Sequence, residues 1–158
     1  MEKAIATVML TVAGIAAIVA ILNALMPAIS RTSASIVASS DSINDRISTQ
    51  VEIIHAGGAD GSPTIEAWTK NVGGIAIGPL NRVDVFFGPD NNFVRVPYGG
   101  ASCSSPCWSY SLENDTTWSP TSTLHITINM DSSLVTGTTY FIKVVAPNGI
   151  SDARFFTV

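Results

Sequence analysis

The sequence predicts an α+β protein in which a long hydrophobic N-terminal α-helix precedes an antiparallel β-sandwich. The first observation is a run of 27 residues, from Ala4 to Ser30, without a charged side chain. The second is the change of pattern at Val51, after which apolar and polar residues alternate in short segments separated by turn-forming residues. We therefore predict two domains, a hydrophobic helix over residues 1–49 and a sandwich over residues 50–158.

The N-terminal apolar run is too long for a cleaved secretory signal. Such a signal has a basic start and an apolar core of roughly 7–15 residues, whereas here the chain starts Met1-Glu2-Lys3 and the apolar run is about twice that length. We expect the segment to be retained in the working protein. Its length also exceeds the roughly 20 residues that cross a bilayer, so a simple membrane anchor is the plainest alternative.

A seven-residue apolar repeat continues beyond the charge-free run, and this spacing is typical of helices that pack against helices. Small Ala and Ser residues lie between the repeat positions and allow neighbouring backbones to approach closely. One helix over this segment would be roughly 70 Å long, more than twice the thickness of a bilayer core. The candidate packing positions are Ile15, Leu22, Ile29, Ile36 and Ile43.

Three further residues of the helix are candidates for a special role. Pro27 lacks a backbone N–H group and predicts a kink near the middle of the helix. Glu2 and Lys3 are the only charged residues before Arg31. They would lie at the membrane surface in an unassembled subunit, and in an assembly we expect Glu2 to pair with the amino terminus or with Lys3 of a neighbouring copy.

The second half of the chain predicts about eight short strands in an immunoglobulin-like β-sandwich. The segment from Leu124 to Met130 places its apolar side chains on one face and its polar side chains on the other. Trp68 is predicted to anchor the core, and an exposed Trp108 or Trp118 would mark a contact surface. The candidate strands are Val51–Ala56, Thr64–Lys70, Ile75–Ile77, Arg82–Phe87, Phe93–Tyr98, Trp108–Leu112, Thr123–Met130, Thr139–Ala146 and Ser151–Val158.

Two local motifs indicate an exported protein. Cys103 and Cys107 are the only cysteines, and their spacing with Gly, Ser and Pro around them favours a small disulfide loop over free thiols or a metal site without further ligands. Asn114-Asp115-Thr116 is the single sequon, so Asn114 is a candidate for N-glycosylation on an exposed loop.

Charge and motif content argue against nucleic-acid binding and catalysis. The chain has eight Lys and Arg residues and a formal charge of −4, which is a poor match to a phosphate backbone. His55 and His125 are the only histidines, and His125 is predicted to be solvent-exposed on the polar face of a strand. The sequence contains no nucleophile elbow, zinc motif or phosphate loop. We therefore expect no enzymatic activity, no cofactor and no bound metal.

Three segments behind the apolar helix resemble the archaellum filament protein family, which is archaellin-like with a type IV pilin-like N-terminal helix. They are Ile65–Gly73, Asp84–Gly88 and Phe93–Tyr98, and they are most similar to FlaG/FlaF-type proteins. The resemblance implies a helix that sits in the membrane before assembly and then forms a filament core, with the sandwich outside. It also implies a leader peptidase, which removes a short basic leader, and an assembly machinery. No such leader precedes Glu2, so the numbering is expected to begin at the mature residue, with Met1 departing from the family pattern.

The favoured hypothesis is a structural subunit of an extracellular helical filament for motility or adhesion, a homopolymer of many copies. The helix extends too far and too regularly for a mere anchor, and the Ser- and Thr-rich second half suits a solvent-facing surface. One alternative is an accessory or anchoring component whose sandwich binds a cell-wall layer. The other is a single-span surface-binding protein that never polymerises.

Overall fold

The computed structural model describes residues 2–158, with side chains from Lys3 onward, as one long helix followed by eight strands. Helix α1 spans Glu2–Ser48 and continues through Pro27. Two short 3-10 helices lie at Leu80–Arg82 and Gly100–Ser102. The strands are β1 (Val51–Gly58), β2 (Thr64–Asn71), β3 (Asp84–Pro89), β4 (Val94–Val96), β5 (Cys107–Glu113), β6 (Thr123–Asn129), β7 (Thr139–Val145) and β8 (Ser151–Thr157).

The strands form two four-stranded antiparallel sheets, which confirms the predicted α+β sandwich. The first sheet has the order β1-β2-β6-β5 and the second the order β4-β3-β7-β8. Strand β6 shows why the sequence folds this way, because its Leu124, Ile126 and Ile128 are fully buried between the sheets. Its polar residues alternate with them on the outer face, as a half-buried strand requires.

Side chains and short bridges join the edges of the two sheets. Between β1 and β8, the Asp152 carboxylate accepts the Ile53 N–H at 2.7 Å, and the Arg154 guanidinium donates to the carbonyl oxygens of Ile53 and Ile54. Between β4 and β5, Tyr98 and Trp108 form an isolated bridge. These bonds use edge groups that would otherwise be open to pairing with another chain.

Two details of the predicted sandwich were wrong. Trp68 is not a core residue: it lies half-buried on the outer face of the first sheet, because β2 turns Ala67 and Thr69 inward. The large core anchors are instead Trp108 and Trp118, both almost completely buried, so neither marks an exposed contact surface.

The candidate strand Ile75–Ile77 is also absent, with only Ile77 forming an isolated bridge to Trp118. The reason lies in Asn71, whose side chain is fully buried and takes the place of a strand partner. Its amide group donates to the carbonyl oxygens of Ile75 and Trp118 at 2.8 and 2.9 Å, and its side-chain oxygen accepts the Gly73 N–H at 3.0 Å. The loop is therefore held by this side chain together with separate backbone bonds, such as that from the Gly73 N–H to the Gln50 carbonyl oxygen at 3.0 Å, rather than by a strand ladder.

The chain divides into two compact units, Met1–Ser42 and Ile43–Val158. The division falls inside α1, because the last helical turn contacts loops of the sandwich. The domains predicted over residues 1–49 and 50–158 remain a prediction. The Asn148 amide donates to the Thr49 hydroxyl at 2.7 Å, and the Gly74 N–H donates to the Ser48 carbonyl oxygen at 2.8 Å. The second of these bonds satisfies a carbonyl group that the helix end leaves free.

At Gly73 the loop after β2 comes closest to the backbone at the end of α1. A Cβ atom at Gly73 would lie 2.5 Å from both the Gln50 nitrogen and the Ser48 carbonyl oxygen, which are backbone atoms that cannot rotate away. A Cβ atom at the adjacent Gly74 would meet only the Ser48 oxygen at 4.0 Å.

We predict that Gly73→Ala destabilises the sandwich by about 2 kcal/mol, because the loop must separate from the end of the helix to admit the methyl group. Gly74→Ala is the matched control and should stay within about 0.5 kcal/mol of the wild type. The measurement is urea unfolding of the full chain in detergent, followed by the fluorescence of the buried tryptophans. Equal stability of the two variants would contradict the close packing of this loop.

Candidate functional site

The apolar side of α1 is exposed along the helix and has no partner within the described residues. All five repeat positions project away from any protein contact, and their exposed fractions lie between 53% for Leu22 and 63% for Ile15 and Ile36. From Lys3 to Arg46 every helical residue is exposed. A helix with this composition is normally buried on most of its surface. The helix is therefore a binding surface whose partner must itself be apolar.

Hydroxyl groups along the helix do not weaken this apolar character. Thr7 donates to the carbonyl oxygen of Lys3 at 2.8 Å, and Ser30 donates to that of Met26 at 3.0 Å. Thr32 donates to the carbonyl oxygen of Ala28 in the same way. Because these three hydroxyls bind their own helix, they can enter lipid or a protein core without leaving an unsatisfied donor.

The two halves of the helix differ in charge. By length and composition, Lys3–Ser48 contains a candidate membrane span. Residues 4–30 carry no charge, whereas residues 31–48 carry Arg31, Asp41, Asp45 and Arg46. Charged side chains at the centre of a bilayer are costly. The first half is thus suited to lipid and to protein, and the second half is suited to protein packing only.

Lys3 is exposed at the start of the helix, while the side chain of Glu2 lies outside the described residues. The predicted pairing of these charges between copies, and the predicted kink at Pro27, remain predictions.

The cysteine loop is closed covalently. Cys103 and Cys107 form a disulfide with their Cα atoms 5.6 Å apart. The Ser105 hydroxyl within the loop donates to the Asp131 carboxylate at 2.7 Å, tying the loop to the end of β6. A Cβ atom at Gly99 would lie 2.8 Å from the Cys103 Cα atom, so the loop packs against its neighbouring backbone.

Asn114 lies in the exposed turn between β5 and β6, with a positive φ of 57°. The following Asp115 carboxylate accepts the N–H groups of Thr116 and Thr117, and these bonds hold the pKa of Asp115 below its usual value. The turn is therefore ordered by a carboxylate at neutral pH, and it loses this support as the pH falls through that lowered pKa. Exposure suits a modification site, and glycosylation of Asn114 remains a prediction.

The two histidines lie in one row across the outer face of the first sheet, with Trp68 between them. The rings of Trp68 and His125 are stacked with centroids 4.4 Å apart, and the His55 ring lies 5.4 Å from that of Trp68. The stacking leaves the His125 side chain only 19% exposed, so the prediction of a solvent-exposed His125 was wrong. Its Nδ1 atom is 3.9 Å from the Glu113 carboxylate and 3.5 Å from the Ser111 hydroxyl.

This row was not predicted from the sequence. The signal that could have revealed it is the alternating pattern of β1, β2 and β6, because pairing these strands places the three residues side by side. Among the described residues, no group of three or more His, Cys, Asp or Glu side chains could hold a metal ion. The row packs aromatic surface, and the Ser111 hydroxyl and the Glu113 carboxylate both approach the same Nδ1 atom of His125, so the ring does not stand between a nucleophile and an orienting carboxylate as in a catalytic triad.

Comparison with known proteins agrees with this architecture. The family model for archaeal-type flagellin matches residues 2–154. Among solved structures, the archaellum periplasmic stator protein FlaG of Sulfolobus acidocaldarius is 32% identical, with a TM-score of 0.60, and the match covers 68% of this chain and 99% of that one. The FlaF and FlaG stator complex of the same organism gives the same identity and TM-score and covers 89% of the matched chain.

The archaeal flagellum of Methanospirillum hungatei strain JF1 is similar over 92% of this chain and 91% of that one, with a TM-score of 0.55. At 13% identity this likeness concerns the fold alone. No curated protein matches the chain. The family expected from the sequence resemblance is confirmed: the chain belongs to the archaeal-type flagellin family and is an archaellum component.

Proposed function

We propose that this protein is a structural subunit of an extracellular archaellum-like helical filament, a homopolymer of many copies held together by α1. The observation that supports this most directly is the exposure of the whole apolar face of α1, with a seven-residue repeat extending beyond the length of a bilayer. The protein acts by assembly rather than by catalysis, and it serves motility or adhesion.

Exposure of the apolar face of α1 to water is costly. Burying apolar surface stabilises an assembly by about 25 cal/mol per Å², or roughly 1.5–3 kcal/mol for each large aliphatic side chain. A bundle of sister helices buries such side chains along the full length of α1. Contacts between copies that do not close into a ring generate an open helix, which is a filament.

The difference between the two halves of α1 gives an order of events. Before assembly, residues 4–26 reside in the membrane, where their uncharged side chains are stable. On assembly the same residues exchange lipid for sister helices, and residues 27–47 pack there as well. A leader peptidase and an assembly machinery would act at the membrane stage. In the filament, Glu2 would pair with the amino terminus or Lys3 of a neighbour, because buried charges need partners.

An accessory or stator-type role is the second candidate. It is favoured by the 32% identity to the periplasmic stator protein FlaG, which exceeds the 13% identity to the filament protein. In that role the helix would stay near the membrane and the sandwich would bind a cell-wall layer. The filament role is preferred because the repeat continues through Ile36 and Ile43, beyond the part of α1 that lipid can cover.

We predict that Ile36→Asp abolishes filament formation. The variant places a charge in the second half of α1, so membrane insertion of the first half is preserved, while a buried unpaired carboxylate costs several kcal/mol in a helix bundle. The subunit concentration needed for assembly should rise by about a hundredfold or more. The measurements are electron microscopy and sedimentation of the purified full chain.

Ala38→Asp is the matched control. It adds the same charge to the side of α1 that already carries Arg31, Asp41 and Asp45, where a further carboxylate is expected to remain solvated. This variant should still form filaments. Both variants should retain the fluorescence of buried Trp108 and Trp118, which reports a folded sandwich. Normal filaments from Ile36→Asp would refute assembly through the repeat.

We further predict that this chain is the most abundant protein of purified filaments, present in many copies along their length. The apolar face of α1 extends along the helix, and sister helices repeated along a filament would cover it from end to end. Quantitative mass spectrometry of filaments sheared from cells measures the copy number. One or a few copies per filament would instead support the accessory role.

A further inference from the structure

Asn148-Gly149 is the only Asn-Gly pair in the sequence, and it lies in the hairpin turn between β7 and β8. The Gly149 N–H donates to the Ala146 carbonyl oxygen at 2.8 Å, and the Ala146 N–H donates to the Ile150 carbonyl oxygen at 2.7 Å. Gly149 has a positive φ of 87°, which glycine adopts without strain. The turn therefore requires a glycine directly after Asn148.

An Asn-Gly pair can modify itself, because glycine has no side chain to hinder attack by its own backbone nitrogen. The Gly149 nitrogen gives up its proton to hydroxide and bonds to Cγ of Asn148, and the side-chain nitrogen of Asn148 leaves as ammonia. Water then opens the five-membered imide at either of its carbonyl carbons. The product is aspartate or its β-linked isomer, so one water is consumed and one ammonia is released. Asparagine is thermolabile in proteins.

Hydrogen bonds hold the reacting groups in place in the folded chain. The side-chain nitrogen of Asn148 donates to the Thr49 hydroxyl at 2.7 Å and to the Asp45 carbonyl oxygen at 3.4 Å. Its Oδ1 atom accepts the Ile150 N–H at 3.3 Å. The Gly149 N–H is engaged in the turn as well. Because the Asn148 Cγ atom must turn toward the Gly149 nitrogen, these bonds have to open before the reaction.

Water has access to this turn. The side chain of Asn148 lines a cavity of about 340 Å³ together with Thr49 and Asp45, and Gly149 is exposed. The hydroxide and water that the reaction uses can therefore reach the turn. Access is not the limiting step, so the hydrogen bonds set the rate.

We propose that Asn148 is a site of spontaneous deamidation that the folded chain keeps slow, and that the reaction loosens the last turn of α1 from the sandwich. The bonds that attach the helix end to the turn are the same bonds that protect Asn148. Detachment and modification therefore promote each other. The inference concerns a single chain and does not depend on the proposed filament.

The product would not fit the contact that Asn148 makes. The Thr49 hydroxyl already donates its hydrogen to the Asp45 carbonyl oxygen at 2.6 Å. A carboxylate at position 148 would therefore face two acceptors without a hydrogen to share, and both bonds from the amide would be lost. The Asp45 carboxylate lines the same cavity and adds a like charge. The helix end would then separate from the turn.

The test measures deamidation of the purified full chain in detergent, in native buffer and in guanidinium chloride. Peptide mass spectrometry identifies the product at Asn148, because aspartate and asparagine differ in mass. We expect the reaction to be about a hundredfold slower in the native chain, since several hydrogen bonds must open together. Equal rates in the two conditions would overturn the protection, and no product at Asn148 in guanidinium chloride would overturn the site.

Thr49→Val removes the hydroxyl that holds the Asn148 amide and keeps the shape of the side chain. In native buffer this variant should deamidate at Asn148 about tenfold faster than the wild type. Thr32→Val is the matched control, because the Thr32 hydroxyl donates only to the Ala28 carbonyl oxygen of its own helix. Equal rates for the two variants would contradict protection by Thr49. If Thr49→Val loses the folded tryptophan fluorescence, the wild-type comparison still decides.

Asn148→Asp tests the effect of the product. Backbone amides of residues 45–49 should exchange hydrogen about tenfold faster in this variant than in the wild type, because local opening becomes easier. Asn114→Asp makes the same chemical change in the exposed turn between β5 and β6 and should leave this exchange unchanged. Unchanged exchange in Asn148→Asp would show that deamidation does not loosen the helix end.

Discussion

The structure depends on one constraint: α1 exposes apolar surface from Lys3 onward that the rest of the chain does not cover. No rearrangement of side chains removes this exposure, because a helix of 47 residues carries too much apolar surface for itself to hide. The hydrophobic effect therefore acts between molecules rather than within one. The sandwich, in contrast, is complete by itself, with its core closed between two sheets and both pairs of edges joined.

The sandwich is completed at the helix end by a small number of buried polar groups. Asn71 is fully buried and satisfies three backbone groups of its surrounding loops, so it replaces a strand that the sequence pattern predicts at Ile75–Ile77. Loops fixed in this way by hydrogen bonds leave Gly73 no room for a side chain. A buried polar group of this kind contributes specificity, because a different loop arrangement would leave its amide unsatisfied.

The features predicted well from the sequence are those set by periodicity. The charge-free run and its repeat predict α1, and alternation in β6 predicts which side chains enter the core. Features set by pairing between distant strands were missed. Trp68 has the size of a core residue, but its register places it outside, where His125 covers one of its faces. The ring of Phe141 in β7 likewise contacts Phe155 in β8 and Phe93 before β4, and only the tertiary fold brings these residues together.

The two kinds of surface would perform different tasks in a filament. Apolar packing along α1 supplies free energy but little direction, since a repeat of similar aliphatic and small residues tolerates sliding by one repeat. Charged and aromatic faces on the sandwich are specific in position, because like charges brought together are unfavourable. A helix core alone would therefore form bundles of mixed register. Contacts between the sandwiches of neighbouring copies would select one register, and with it one helical symmetry.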